Sequence, residues 1–227
     1  FTSKGKPDYA GFETQLARIA RAGLTPAVNM DTGFGPQIGP AGRSEILKRT
    51  RRLLGSKASF VAGAMPFGVR GDPLAAYRAA VDEIVQAGGA PIVFQSPWMA
   101  GKSGKPLADL YRKILGDCRR ALAFELSPLF ATFGRIYDLD TFRRLMDLPG
   151  LVGLKHSSLS RAEELARLDL RDRQRPDFRI YTGNDLAIDM VMLGSDYLLG
   201  LAAFEPEAFA LRDHFWETGD PRFFAVN

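Results

Sequence analysis

ALAFELSPLFATFGRIYDLDTFRRLMDLPGLVGLKHSS, residues 121–158, sets two short apolar runs, at 121–126 and 151–155, on either side of a stretch with helical spacing. Each run has the length of a strand and carries apolar residues on both faces, as strands do in a parallel sheet covered by helices. The same alternation extends in both directions. Further strand-length runs stand at 25–30, 59–65, 91–95, 178–182 and 197–202, which makes seven in all. Apolar positions at helical spacing follow the strands, for instance at 74–87, 107–119 and 162–170, and another helical segment, 9–22, precedes the first strand.

A unit of roughly 30 residues repeated along the whole chain is the signature of βα modules. A helix ahead of the first strand implies a lost strand. Seven strands plus one upstream give about eight, the number that closes a barrel, whereas open doubly wound sheets usually stop at about five or six. The expected fold is an α/β (β/α)8 TIM barrel, a single domain over residues 1–227 that lacks its N-terminal strand and any C-terminal helical extension. The Gly/Pro-rich stretch 33–42 reads as a loop at the C-terminal end of a strand, the active-site side of such a barrel.

Composition narrows the function. Thirty Lys and Arg against 26 Asp and Glu give a net charge of +4, but pairs such as Arg51-Arg52 and Arg143-Arg144 fall in amphipathic helices, where they read as solvated faces. Nucleic acid is not an expected partner. The single cysteine, Cys118, excludes a disulfide framework, and no apolar run reaches the ~20 residues that span a bilayer, so the chain reads as cytoplasmic, with no membrane partner. With only His156 and His214, a histidine-rich metal site is not expected, and neither is a cofactor. The string GFGPQIG from Gly33 lacks dinucleotide-binding spacing, and no phosphate loop or serine nucleophile elbow is present.

Lysine is the informative residue type. Lys4, Lys6, Lys48, Lys57, Lys102, Lys105 and Lys113 fall in predicted loops or helices, whereas Lys155 ends an apolar strand. A buried ammonium has a depressed pKa and keeps a neutral, nucleophilic fraction, as imine formation with a carbonyl substrate requires. The alternative is a lysine paired with a carboxylate at the barrel mouth. By strand parity Lys155 shares a face with Leu151 and Gly153, and Glu125 shares one with Ala121 and Ala123, opposite Leu122, Phe124 and Leu126. With Ala121, Ala123 and Glu125 turned inward, adjacent strands would bring Lys155 and Glu125 together as nucleophile and proton-transfer group, or as a structural ion pair. His156, of opposite parity, reads as a packed or hydrogen-bonded residue.

The segment LPGLVGLKHSS, 148–158, resembles the dihydrodipicolinate synthase and N-acetylneuraminate lyase family, in which a strand-borne lysine forms an imine with pyruvate. Lys155 falls on that lysine. NMDTG, 29–33, resembles the family's carboxylate-binding loop, and YTGNDLAIDMVMLGSDYLLGL, 181–201, resembles its late glycine and acidic loop with the last strand. The resemblance implies an enamine derived from a 2-oxo acid and a homotetramer or other homo-oligomer. It also implies that Thr32 and Gly33 hold the substrate carboxylate, that Gly183, Asn184 and Asp185 line the second-substrate region, and that Arg135 stands at the cavity mouth. Each has a plainer reading: Thr32 and Gly33 as turn residues, Asp185 as the cap of a helix beginning at Leu186.

The chain departs from the family where proton transfer is concerned. The expected tyrosine late in the family's fifth strand is replaced by Glu125 on one alignment and by Phe130 on another, and the first threonine of the carboxylate loop is replaced by Asp31, which is expected among the substrate-binding residues with Thr32 and Gly33. The sequence therefore points to a divergent Schiff-base-forming lyase or aldolase acting on a 2-oxo acid such as pyruvate. An imine-dependent sugar-acid dehydratase and a noncatalytic barrel that binds a small acid are the alternatives.

Overall fold

The computed structural model describes all 227 residues. Seven parallel strands form one sheet in chain order: β1 (Ala27–Val28), β2 (Val61–Ala64), β3 (Ala90–Val93), β4 (Ala121–Leu126), β5 (Leu151–Ser157), β6 (Arg179–Thr182) and β7 (Asp196–Tyr197). Ahead of them runs α1 (Tyr9–Arg21), and between and after them run α2 (Pro40–Leu54), α3 (Pro73–Gln86), α4 (Gly104–Leu115), α5 (Leu139–Met146), α6 (Arg161–Gln174), α7 (Pro206–Thr218) and α8 (Phe223–Val226). This is the TIM-barrel-like architecture expected from the alternating runs. The last strand is shorter than its apolar run, because residues beyond Tyr197 give way to a 3₁₀ turn at Leu201–Ala203. No helix is long and apolar enough to cross a membrane.

Helix starts follow local chemistry. Asp8, Asp72, Asp138 and Ser160 each accept a hydrogen bond from a first-turn backbone N–H, satisfying donors that the helix itself cannot. Pro73 at the start of α3 adds a preset φ where no N–H is needed.

Two apolar clusters show which side of each strand faces where. The larger, of 33 residues, joins Ala62, Ala64, Val93, Ala121, Ala123, Leu154 and Ile180 to helix residues such as Ile46, Tyr77, Tyr111 and Phe142. The smaller, of seven, is the barrel interior: Met30, Met65, Ile92, Phe94, Leu122, Phe124 and Leu126. Bulky side chains therefore fill the barrel and small alanines lie beneath the helices, which reverses the orientation expected for β4. The pairing of β4 with β5 also slips by one residue: Ala121 pairs with Leu151, but Leu122 pairs with Gly153 and Phe124 with Lys155. Val152 is the extra residue and packs against the interior cluster. Leu151 thus lies on the helix side while Gly153 and Lys155 face inward, and Leu151 and Lys155 do not share a face as parity alone predicted.

The sheet's edges, β1 and β7, are not hydrogen-bonded to each other. The seam between them borders a cavity of about 790 Å³ lined by residues including Thr25, Val61, Leu122, Val152, Tyr181 and Tyr197. Across it α1 closes the outer layer through side chains: Arg18 bonds Glu207 at 2.6 Å and Glu205 at 3.3 Å, and Gln15 donates to the Ala203 carbonyl.

Gly63 couples this framework to the site. A Cβ there would stand 2.3 Å from the Asn29 carbonyl oxygen, 2.8 Å from Met65 Cε and 2.9 Å from the Phe94 ring. The nearest obstacle is backbone and cannot swing away. Gly63→Ala is expected to cost about 1–3 kcal/mol by overpacking, measured by denaturant unfolding, and to displace the loop that follows β1.

Candidate active site

Lys155 stands near the C-terminal end of β5, 3% exposed, with its side chain inside the barrel. Its ammonium lies 4.6 Å from the centroid of the Phe124 ring and 3.8 Å from Asp31 Oδ1. Across from it, Gly183 leaves the space the lysine occupies, since a Cβ there would sit 2.8 Å from Lys155 Cε. Burial pushes the Lys155 pKa down, and the charges of Asp31 and Asp185 oppose that shift without cancelling it. A desolvated amine with a depressed pKa at the C-terminal end of a barrel strand is equipped to act as a nucleophile.

The loop after β1 brings Asp31, Thr32 and Gly33 to this end of the barrel. It is wound tightly: Asn29 and Phe34 adopt positive φ of 54° and 57°, Phe34 N donates to Asp31 O at 2.9 Å, and Gly35 N donates to Met30 O at 2.8 Å. Thr32 packs against Gly200, where a Cβ would come within 3.0 Å of its methyl group. From the loop after β6, Asp185 Oδ1 accepts a hydrogen bond from Leu201 N at 3.2 Å and so ties two mouth loops together. It caps no helix at Leu186. That turn is made by Asn184, whose Oδ1 accepts from Leu186 N at 3.0 Å. Arg135 is exposed, with its guanidinium turned to the Lys102 carbonyl at 3.3 Å and its backbone N donating to Gln95 Oε1 at 2.7 Å. The structure gives it no contact with Lys155.

Glu125 is not in this group. It pairs with His156 across the sheet and faces the helices. There its Oε1 accepts from Arg167 Nη2 at 2.7 Å and from Tyr137 N at 2.9 Å, and its Oε2 accepts from Arg167 Nε at 2.8 Å and from His156 Nδ1. His156 Nε2 in turn meets the Ser158 hydroxyl at 2.7 Å. Burial alone would raise the Glu125 pKa, but the His156 hydrogen bond and the Arg167 charge outweigh it and hold the carboxyl below its usual range. Both carboxylate oxygens are occupied, so Glu125 is a structural anchor joining β4, β5 and α6, and the placement beside Lys155 expected from parity is corrected. Phe130, the other expected stand-in for the family tyrosine, is 59% exposed on the loop after β4. The aromatic residue that faces Lys155 is Phe124, for which strand parity predicts the helix side.

No group of three or more His, Cys, Asp or Glu side chains is assembled as a metal site. No family model matches the sequence, and no curated protein matches it. Solved structures do. A prophage protein of the dihydrodipicolinic acid synthase family from E. coli K12, in complex with pyruvate, superposes with a TM-score of 0.86 over 100% of this chain and 75% of its own, at 17% identity. Dihydrodipicolinate synthase from Thermotoga maritima gives 0.83 over 100% and 76%, also at 17% identity. The chain has the fold of these proteins. N-acetylneuraminate lyase from Mycoplasma synoviae shares it, with a TM-score of 0.75 over 99% of this chain and 74% of its own, at 13% identity. The resemblance carried by GLKHSS thus holds at the level of fold.

The Glu125 anchor is testable as a stability element. Glu125→Gln leaves the Arg167 guanidinium buried without its counter-charge, which is expected to cost about 3–5 kcal/mol at pH 7 in denaturant unfolding. Because the native carboxyl titrates below its ordinary value of 4.5, its stabilisation is present above that value and lost as pH falls through the native pKa. The gap between wild type and variant should therefore narrow in acid.

Proposed function

We propose that this chain is a lysine-dependent lyase or aldolase that makes or breaks a carbon-carbon bond next to the carbonyl of a 2-oxo acid such as pyruvate. The observation that carries this reading is the buried Lys155 amine, held inside the barrel with its pKa pushed down, at the end where barrel enzymes place their chemistry. In its neutral form the amine attacks the keto carbon, and loss of water gives a protonated imine. That imine accepts the electron pair released when the adjacent carbon-carbon bond breaks, or supplies an enamine when one forms. The loop of Thr32 and Gly33 would take the substrate carboxylate, and the loop of Gly183, Asn184 and Asp185 would border the second reactant. The shared fold with an enzyme-family member that binds pyruvate supports the reading.

Phe124 favours one competing reading, a barrel that binds small acids without turnover, because the ring beside Lys155 carries no hydroxyl. Borohydride reduction in the presence of pyruvate and a panel of other 2-oxo acids separates the two. The expected result is a reduced adduct mapped to Lys155 by peptide mass analysis and absent in Lys155→Ala. No adduct with any member of the panel would favour the noncatalytic barrel.

A further inference from the structure

Imine chemistry at Lys155 needs a group that holds and returns protons at the lysine nitrogen, the carbonyl oxygen and the neighbouring carbon. Few groups in this site can do so. Phe124 has no exchangeable proton, and Glu125 lies on the other face of β4 with both oxygens occupied. Tyr181 faces the interior, but its hydroxyl lies among Asp196, Arg179 and Arg120, at the opposite ends of the strands. Ser157 shares the Lys155 face, yet a hydroxyl can only relay a proton and cannot store one near neutral pH. Asp185 gives one oxygen to Leu201 N.

Asp31 is different. Its Oδ1 is buried, accepts no hydrogen bond, and points toward Lys155 Nζ at 3.8 Å, beyond hydrogen-bond range. An unsatisfied buried carboxylate oxygen is unfavourable unless something else uses it. The loop holds it there: the positive φ of Asn29 and Phe34, the Phe34 N to Asp31 O bond, and Gly35, where a Cβ would lie 2.4 Å from the Asn29 carbonyl oxygen, keep residue 31 turned inward.

We propose that Asp31 is the proton-transfer residue of this site, an assignment that rests on the imine reading of Lys155. Starting from the ammonium and the carboxylate, Asp31 takes one proton from Nζ, and the free amine pair attacks the carbonyl carbon as the C=O pair moves to oxygen. Asp31 returns its proton to that oxygen, takes a second from nitrogen, and delivers it to the hydroxyl, which leaves as water. The three ammonium protons end as one on the imine nitrogen and two in water, and Asp31 is again a carboxylate. It then removes a proton from the carbon next to the imine, leaving the bonding pair in the enamine, and hands it back in reverse.

Pyruvate alone tests this, because enamine formation exchanges its methyl protons with D2O. The wild type should trap pyruvate with borohydride and exchange its methyl protons. Asp31→Asn should fold normally and still trap pyruvate at Lys155 when given time, but more slowly, and should lose about 100- to 10,000-fold in exchange rate, the range for a general acid-base group, with Asp31→Glu recovering part of both rates. Groups facing Lys155 are Asp31, Asp185 and the Phe124 ring. Removing the Asp31 charge takes away one of the two that raise the lysine pKa, so the pH dependence of trapping should shift to lower pH in Asp31→Asn, which loss of packing alone would not produce. Near-wild-type exchange in a folded Asp31→Asn protein overturns the Asp31 assignment while leaving the imine intact. A wild type that neither traps nor exchanges pyruvate or any other enolisable 2-oxo acid overturns both.

Discussion

The one-residue slip between β4 and β5 governs the arrangement of this protein's charged interior. With Val152 accommodated as an extra residue, Leu151 stays on the helix side while Gly153 and Lys155 point into the barrel. A bulge re-aims every side chain downstream of it. Without the slip, the residues after Ala121 and Leu151 would keep their starting register, and Lys155 would lie under the helices, where Arg167 already places a cation.

The slip sorts two adjacent ionisable residues into opposite environments. His156 joins Glu125, Arg167, Tyr137 and Ser158 in a network in which both carboxylate oxygens are satisfied. Lys155 receives much less: an aromatic face, one carboxylate beyond hydrogen-bond reach, and a second felt only through its charge. Buried charge is tolerated when it is paired and bonded, and it becomes reactive when it is not. The well-compensated network holds the strand that carries the poorly compensated amine.

Much of this was legible in the sequence. The seven strand runs, the intervening helices and the singular position of Lys155 follow from apolar periodicity, which acts through short-range geometry. The facing of β4 was misread because alternation shows that two faces differ but not which is inner. Residue size held the missing signal, since Leu122, Phe124 and Leu126 suit a barrel interior that bulky side chains must fill, and Ala121 and Ala123 suit close approach of helices. The bulge at Val152 has no local signature, because it arises from pairing with β4, 30 residues upstream. Asp31 stood out as a departure from a family pattern, but its relation to Lys155 depends on the winding of the loop from Asn29 to Gly35.

The seam between β1 and β7 is joined differently from the rest of the sheet. Every other junction in the sheet is a backbone ladder between strands adjacent in sequence, so the structure can assemble progressively from one unit to the next. The junction across the seam is made of side chains about 190 positions apart, Arg18 with Glu205 and Glu207 and Gln15 with the Ala203 carbonyl, and exposed ion pairs of that kind contribute only about 0.2–1 kcal/mol each. Among the junctions of the seven strands, the one across the seam is thus made of the weakest bonds, and its clasp lies within α1 and the segment around residues 203–207. Loosening those side chains would free α1 from the segment that follows β7 and leave in place the β4–β5 pairing that holds Lys155.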